Sequence, residues 1–123
     1  MKSTTATAIL LEDWKGDSVD QVFDAFNVPA EQRAGFDILL ATYEYADYSG
    51  SAYVLGLRGG KLFEVFGSHC SCYGLESQWD EEETDLLCLR NSLANADRYD
   101  TISRVQGELL AVLHYLETSG ELA

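Results

Sequence analysis

Positive charge is scarce in this chain. Its 123 residues hold 8 lysines and arginines against 21 aspartates and glutamates, which gives a net charge of −13 at pH 7. That excess repels nucleic-acid phosphates and an anionic membrane surface, so we predict direct binding to neither. Self-repulsion on this scale also opposes compaction. In a folded protein, such an excess of negative charge is expected to serve either solubility or the binding of a cationic partner.

Long apolar runs, proline and cysteine are scarce too. No segment approaches the roughly 20 apolar residues of a membrane-spanning helix, and the short run at residues 8–11 is followed at once by two acids, unlike a secretory signal. With one proline and no flexible linker, residues 1–123 are predicted to be a single domain. Three cysteines, two of them separated by one residue, make no disulfide framework. We therefore expect a cytoplasmic protein.

The N-terminal part predicts a short amphipathic helix. Residues 17–27 carry a capping-box pattern, in which Ser18 is followed three residues later by Gln21. One helical face is apolar and the opposite face is acidic. The apolar positions are Val19, Val22, Phe23 and Phe26, and the acidic ones are Asp17, Asp20 and Asp24. Pro29 then suits the start of a brief second turn of helix.

The middle of the chain predicts three antiparallel strands. The strand-like runs are residues 36–45, 52–58 and 61–66, and residues 47–51 between the first two have turn chemistry. Gly59 and Gly60 join the second run to the third. Two glycines at such a junction favour a two-residue hairpin, because that turn requires positive φ. The pattern therefore predicts a three-stranded antiparallel meander.

The last third predicts two helices. Asp80, with Glu83 three residues on, is expected to cap a helix that runs to about Ala94. A final helix should begin near Asp100 or Thr101 and stop near Gly120. Its apolar positions are Val105, Leu109, Val112, Leu113 and Leu116, and Gly107 among them suggests a close approach to the sheet. We predict an α+β fold with the N-terminal helix and both C-terminal helices on one face of the sheet.

Carboxylates concentrate between residues 76 and 85. This ten-residue stretch holds Glu76, Asp80, Glu81, Glu82, Glu83 and Asp85, with no cation among them. Asp17, Asp20 and Asp24 form a second cluster, and Asp97 and Asp100 form a third. Rows of carboxylates resemble the rows of phosphates on nucleic acid, so such a surface can compete for a basic groove. The alternative is that the acids only cap a helix and keep the protein soluble.

Residues 67–76 contain the candidates for metal binding or thiol chemistry. His69, Cys70 and Cys72 offer three zinc ligands, to which Cys88 or His114 could be added, but zinc knuckles mostly use Cys-x2-Cys or wider spacing. A catalytic thiol at Cys72 would precede a helix, yet the nearby glutamates oppose the thiolate. Buried, inert cysteines are the better interpretation. We predict no catalytic residue, no metal and no cofactor, and if a metal were bound, His69, Cys70 and Cys72 would be its candidate ligands.

Aromatic residues are numerous in the strand region. They are Tyr43, Tyr45, Tyr48, Tyr53, Phe63, Phe66 and Tyr73. On alternating strands one set must face the core, while the other set could form a Tyr-rich patch of the kind enriched at protein interfaces. This gives an alternative function: an interaction module that binds through the Tyr-rich sheet face and the loop from Ser68 to Trp79.

The segment Gly-Ser-His-Cys-Ser-Cys-Tyr-Gly-Leu-Glu at residues 67–76 also carries a resemblance. Together with Gln-Trp at 78–79, Tyr-Glu-Tyr at 43–45 and Asp-Tyr-Ser-Gly-Ser-Ala at 47–52, it resembles a group of small acidic bacteriophage and prophage proteins to which no activity is attached. The resemblance covers residues 36–88. It implies a phage setting and, for a phage-encoded protein, the host cytoplasm. Small acidic phage proteins often interfere with host defence or nucleic-acid enzymes.

The leading hypothesis from the sequence is therefore a non-enzymatic inhibitor of a host defence or nucleic-acid-processing protein, of the anti-CRISPR or anti-restriction type. It would bind a basic surface as a nucleic-acid mimic. The expected contact residues are Asp17, Asp20, Asp24, Tyr48, Glu76, Trp79, Asp80, Glu81, Glu82, Glu83 and Asp85. A thiol- or zinc-dependent enzyme is the third hypothesis, and the sequence leaves a homodimer open.

Overall fold

The computed structural model describes residues 8–46, 49–69, 75–76, 78–94 and 105–119. Among these residues, no helix combines the length and the apolar character that crossing a bilayer requires. Several residues of the sequence predictions lie outside the described ranges. They are Asp47, Tyr48, Cys70, Cys72, Tyr73, Asp97, Asp100, Thr101 and Gly120.

The described elements alternate in a mixed α+β order. The strands are β1 (Ile9–Glu12), β2 (Phe36–Ala46), β3 (Ser49–Arg58), β4 (Lys61–His69) and β5 (Glu82–Thr84). The helices are α1 (Val19–Phe26), α2 (Ala30–Arg33), α3 (Leu86–Ala94) and α4 (Gln106–Ser119). The α+β class is as predicted, and α2 is the brief turn expected after Pro29.

The sheet has five strands in the order β1-β2-β3-β4-β5. The predicted meander is present as β2, β3 and β4, which pair antiparallel in sequence order. The prediction of three strands was nevertheless incomplete, because β1 adds a parallel edge strand beside β2 and β5 adds an antiparallel edge strand beside β4. Both edge strands are only three or four residues long, which is too short for a clear period-two signal.

The hairpin between β3 and β4 confirms the two-glycine turn. Gly59 and Gly60 have φ values of +63° and +80°, and Arg58 lies directly opposite Lys61. Positive φ at both central residues is the conformation that matches the twist of the flanking strands, and glycine adopts it without strain. This turn fixes the register that brings Arg58 to the edge of the molecule where α2 ends.

Strand β2 contains a bulge at Leu39. Its register against β3 shifts between Ile38 and Leu40, so Leu39 has no partner on β3. As a result Leu39 and Leu40 both point into the same apolar cluster, whereas Ile38 and Ala41 point into the cluster on the opposite face. A bulge of this kind places two consecutive side chains on one face of a sheet.

Helices cover both faces of the sheet, which corrects the prediction that all of them pack on one face. The cluster on the first face contains Trp14, Val22, Phe23, Phe26, Val28, Phe36, Ile38, Ala41, Ala52, Val54, Val65 and Leu75. The cluster on the second face contains Leu39, Leu40, Tyr53, Leu55, Leu57, Leu62, Leu89, Val105, Leu109, Val112, Leu113 and Leu116. The central strands are apolar at successive positions, so both of their faces need a covering layer.

The helix predicted from Asp80 to Ala94 begins later. Residues 82–84 pair with β4 as strand β5, and α3 starts at Leu86. Asp85 is the true cap, because the Cys88 N–H donates to its Oδ1 at 2.8 Å and the Leu89 N–H to its carbonyl at 3.0 Å. The capping-box pattern at Asp80 was misleading since the edge of β4 offers residues 82–84 the backbone partners that a helix would have supplied.

Two glycines have opposite surroundings. A Cβ on Gly67 would lie 2.9 Å from both the Phe26 ring and the Leu75 side chain, so the close packing of α1 on β4 needs glycine there. A Cβ on Gly107 would meet nothing within 4 Å. The predicted close approach of α4 to the sheet at Gly107 was therefore wrong.

Candidate acidic interface

Trp79 joins residues 76–85, the acidic segment, to helix α1. Its ring lies 5.5 Å from Phe23, 5.2 Å from Phe26 and 5.3 Å from Phe36, measured between centroids, in edge-to-face geometry. Edge-to-face contacts of this kind are worth about 0.5–1.5 kcal/mol each beyond the apolar area that they bury. Through them the stretch around Asp80 lies on the same side of the sheet as α1.

Arg58 ties Glu81, in the middle of the acidic segment, to the end of α2. Its Nε and Nη2 donate to the two carboxylate oxygens of Glu81, both at 2.8 Å. Nη1 and Nη2 also donate to the carbonyls of Ala34 at 3.0 Å and Gln32 at 2.6 Å. The guanidinium carbon lies 5.4 Å from the ring centroid of Phe36. Such a bidentate, stacked arginine fixes its partners in a defined geometry.

The carboxylate of Glu81 is bound within the protein by Arg58 and Trp79. Burial alone would raise the pKa of Glu81, but the hydrogen bonds from Arg58 and from Trp79 Nε1, the latter 2.8 Å long, outweigh it and lower the pKa overall. Its side chain is 17% exposed. Glu81 and Trp79, both predicted as partner contacts, are therefore engaged in holding this face of the protein together.

The aspartates of α1 differ in their surroundings. Asp24 forms an ion pair with Arg33 at 2.8 Å yet stays 66% exposed. The Arg33 Nε donates to the Val28 carbonyl at 2.8 Å and its guanidinium covers the Phe23 ring. Asp20 is exposed and Asp17 is half-buried. Arg33 thus fixes α2 beside α1 but leaves most of the Asp24 carboxylate open to solvent.

A cleft lies between α2 and the acidic segment. Its volume is about 360 Å³, and it is lined by Glu31, Gln32, Arg58, Trp79, Asp80 and Glu81. Glu31 and Asp80 are exposed on its rim. The cation in its wall, Arg58, is already bonded to Glu81. The cleft therefore presents an excess of negative charge to whatever enters it.

The other predicted acids lie around this face or behind it. Glu82 and Glu83 are exposed on opposite sides of β5 because neighbouring residues of a strand point to opposite faces. Glu83 lies 4.0 Å from Lys61 and faces the side of α1, whereas Glu82 lies opposite Glu64 on the side of α3 and α4. Glu76 is exposed, and Asp85 caps α3.

The ends of the 67–79 segment are fixed to the sheet. The Gln78 side chain accepts from the Ser68 N–H at 2.8 Å and donates to the Ser68 carbonyl at 2.7 Å, as a neighbouring strand would. Leu75 is buried between α1 and β4 beside Gly67. The outer residues of the sequence motif are thus accounted for by packing and by this amide pair.

The candidate metal ligands and thiols lie partly outside the described residues. His69 ends β4, while Cys70 and Cys72 lie outside the described residues. In the part of the chain that the structure describes, no three His, Cys, Asp or Glu side chains converge as a metal site would require. Cys88 and His114 are both exposed. Because Cys70 and Cys72 are outside the described ranges, the zinc and thiol hypotheses stay predictions.

Aromatic residues of the strands divide between core and surface. Tyr53 is fully buried and its hydroxyl donates to Glu64 Oε2 at 2.7 Å. Tyr43 is half-buried, 5.2 Å from Trp14 between ring centroids. Phe66 is 45% exposed and contacts the Tyr53 ring. Tyr48 and Tyr73 lie outside the described residues, so the Tyr-rich patch of the alternative hypothesis stays a prediction.

Sequence reasoning missed the two arginines. Arg58 and Glu81 are 23 residues apart and Arg33 and Asp24 are nine apart across a turn, so no local pattern marks either pair. The only sequence hint was the scarcity of cations, because each one in an acidic chain is a candidate for an internal pair.

Comparisons with protein-family models, with curated proteins and with solved structures gave no match to this chain.

Proposed function

We propose that the protein is a small acidic inhibitor that binds the basic surface of a nucleic-acid-processing or defence protein and blocks access of nucleic acid. The acidic interface comprises Asp17, Asp20, Asp24, Glu31, Glu76, Asp80 and Glu83. Relative to the residues expected from the sequence, it gains Glu31. It leaves out Trp79, Glu81 and Asp85, which are engaged within the fold, Glu82, which lies on the other side of the sheet, and Tyr48, which lies outside the described residues. A phage origin, which the resemblance of residues 36–88 implies, would make the target a host protein.

The observation that carries this proposal is the meeting of Glu31 and Asp80 at one cleft. The first belongs to α2, beside α1, and the second to the segment that Trp79 packs against Phe23 and Phe26. Acids from distant parts of the sequence therefore lie on the same side of the sheet. Because Arg33 and Arg58 hold the supporting elements together, these acids form a fixed surface and not only a solvated face of one helix.

The physical basis of such binding is electrostatic. Carboxylates fixed on a rigid support present a negative potential that steers a positively charged partner and competes with phosphates for its lysines and arginines. Over the Debye length of about 8–10 Å at 0.1–0.15 M salt, several exposed acids act together. Complexes of this kind associate quickly at low salt and weaken as ionic strength rises.

The first test is an affinity capture from host lysate at low salt, followed by stepwise elution with rising salt and mass spectrometry of each fraction. We expect a nucleic-acid-binding enzyme to leave the resin as ionic strength increases. That enzyme, once purified, should lose nucleic-acid binding when the protein is added. A captured partner that is indifferent to salt, or that binds nucleic acid undisturbed, would contradict the proposal.

A matched pair of variants separates interface charge from total charge. Glu31→Gln with Asp80→Asn removes two charges at the cleft, and Glu82→Gln with Glu108→Gln removes two on the other side of the sheet. All four side chains are exposed, so both variants should fold. We expect the first variant to weaken the complex at least about tenfold, as for two lost contacts of about 0.7 kcal/mol each. Equal affinity of the two variants would reduce the acids to a solubility role.

A further inference from the structure

The group on the second face of the sheet that the proposed function does not use is a carboxyl pair on β4 and β5. Glu64 and Glu82 lie directly opposite each other in the antiparallel register. Directly opposed residues have Cβ atoms about 4.5–5.5 Å apart, and like charges at such positions are destabilising. The pair occurs at a strand of only three residues, where each cross-strand contact is a large share of the pairing.

Glu64 is bound to the buried core on its other side. The Tyr53 hydroxyl, from a side chain with no exposed surface, donates to Glu64 Oε2 at 2.7 Å. Glu64 itself is half-buried. Its carboxyl group therefore cannot swing away from Glu82 without leaving a buried hydroxyl unpaired, which costs about 1–3 kcal/mol.

Among the described residues of the elements packed around Glu64 and Glu82, no lysine or arginine pairs with either carboxyl group. From β3 comes Tyr53, and from α3 and α4 come apolar side chains with Tyr115 at the margin of the cluster. The charged groups of the two helices are engaged or exposed: Arg90 pairs with Glu117, and Glu108 and His114 are exposed. Arg58 binds Glu81 on the opposite face of the sheet.

We infer that Glu64, Glu82 and Tyr53 form a proton-operated clasp that tightens strand β5 on the sheet in mildly acidic solution and weakens its attachment near neutral pH. One proton is taken from solvent by Glu64. The protonated carboxyl group still accepts the Tyr53 hydrogen bond and gains an O–H to donate across the strand pair to the Glu82 carboxylate. Repulsion between two anions thus becomes a hydrogen bond.

The titration of Glu64 agrees in direction. Burial raises its pKa, the Tyr53 hydrogen bond opposes that rise, and the charge of Glu82 adds to it, so the pKa lies above the ordinary value. A carboxyl group whose pKa is raised on folding stabilises the folded state fully below its unfolded pKa, near 4.3. That stabilisation is lost as pH rises through the folded pKa. The clasp therefore operates in the window just above pH 4.3.

The consequence for the molecule is local. Residues 82–84 connect Glu81, held by Arg58, to Asp85, which caps α3. A change in the attachment of β5 alters the support of Glu83 and of the start of α3, while the core clusters on both faces keep their contacts. The clasp concerns only the attachment of strand β5 and requires no partner.

The test is a titration of the full-length, isotope-labelled protein by NMR between pH 4.5 and 7.5. The readouts are the side-chain carboxyl shifts of Glu64 and Glu82 and the hydrogen-exchange protection of the β4–β5 backbone amides, normalised for intrinsic exchange. We expect Glu64 to titrate above the ordinary glutamate value. Protection of the ladder should rise about threefold to tenfold as the pH falls through that titration.

Two single-charge variants on the same strand make the test specific. Glu82→Gln should return the Glu64 titration toward its ordinary value and remove at least half of the pH dependence of protection. Glu83→Gln, which removes a charge on the opposite side of β5, should leave both unchanged. The same response from the two variants, or a Glu64 titration at or below the ordinary value, would overturn the clasp.

Discussion

The face of the sheet covered by α1 is lined with aromatic rings and tied by arginines, whereas the face covered by α3 and α4 is mainly aliphatic and holds buried hydroxyls bonded to carboxylates, Tyr53 to Glu64 and Thr42 to Glu12. On the first face Arg33 and Arg58 each lie over a phenylalanine ring and each bind an acid. On the second face, Glu64 accepts a hydrogen bond from the Tyr53 hydroxyl and lies opposite Glu82. The comparison teaches that Arg33 and Arg58 fix acids on the first face, whereas a buried hydroxyl binds the carboxylate of Glu64 on the second.

The largest loss of stability is expected from removing a buried ring on the aromatic face. Phe26→Ala removes a ring that is 1% exposed and contacts both Trp14 and Trp79. We expect a loss of about 3–5 kcal/mol in the free energy of unfolding, measured by urea denaturation. Leu113→Ala on the aliphatic face, with a smaller side chain removed, should cost about 2–5 kcal/mol. Because both helical layers pack on the same sheet, we expect one unfolding transition. Separate transitions for the two faces would contradict this.

The next effect tests the arginine ties against each other. Arg58→Ala leaves Glu81, which is 17% exposed, without its bidentate partner, and we expect a loss of about 2 kcal/mol together with a change in tryptophan fluorescence at Trp79. Arg33→Ala frees an Asp24 that is 66% exposed, so that pair should contribute less than about 1 kcal/mol. Equal losses would mean that burial does not distinguish the two ties.

A gain is expected on the aliphatic side. Gly107→Ala places a methyl group where nothing lies within 4 Å, in the first turn of α4. Alanine is favoured over glycine in helices by about 0.5–1 kcal/mol, so the melting temperature should rise. Gly67→Ala is the control in the opposite direction, because its Cβ would clash with Phe26 and Leu75. A neutral or unfavourable Gly107→Ala would imply a contact at that site.

The smallest effect concerns the opposite acid–base behaviour of the two faces. Glu81 has a lowered pKa, so its stabilisation is present above its unfolded pKa and is lost as pH falls through the folded value. The raised pKa of Glu64 works in the other sense. Urea denaturation across pH 3–7 should therefore show stability rising from neutral pH into mild acid and falling below about pH 4. Glu81→Gln should flatten the acid limb, and Glu64→Gln the neutral limb.

Local patterns predicted the elements that depend on near neighbours. Gly59 and Gly60 specified their turn because positive φ is a property of the residues themselves. The apolar positions of α1 and α4 were predicted from helical spacing, and Val22, Phe23, Phe26, Leu109 and Leu113 are indeed buried. Val19, expected on the same apolar face, is instead at the margin with 36% exposure.

Patterns failed where a partner from elsewhere in the chain decided the outcome. Asp80 to Asp85 has helix-start chemistry, yet residues 82–84 became a strand because β4 had an open edge beside them. For the candidate site, the sequence identified acids without distinguishing those that face solvent from those bound internally. Glu81 and Asp80 are adjacent in sequence and both line the cleft, but Glu81 is bound to Arg58 whereas Asp80 is exposed on the rim.

The sequence by itself determined the net charge, the α+β class, the hairpin at Gly59–Gly60 and the apolar positions of its helices, since composition, turn conformation and helical period are local properties. Only the tertiary structure decided which face each helix covers, which acids bind arginine, and that Glu64 opposes Glu82. These depend on contacts between residues far apart along the chain, and such contacts form only once the strands have paired and both faces of the sheet must be covered.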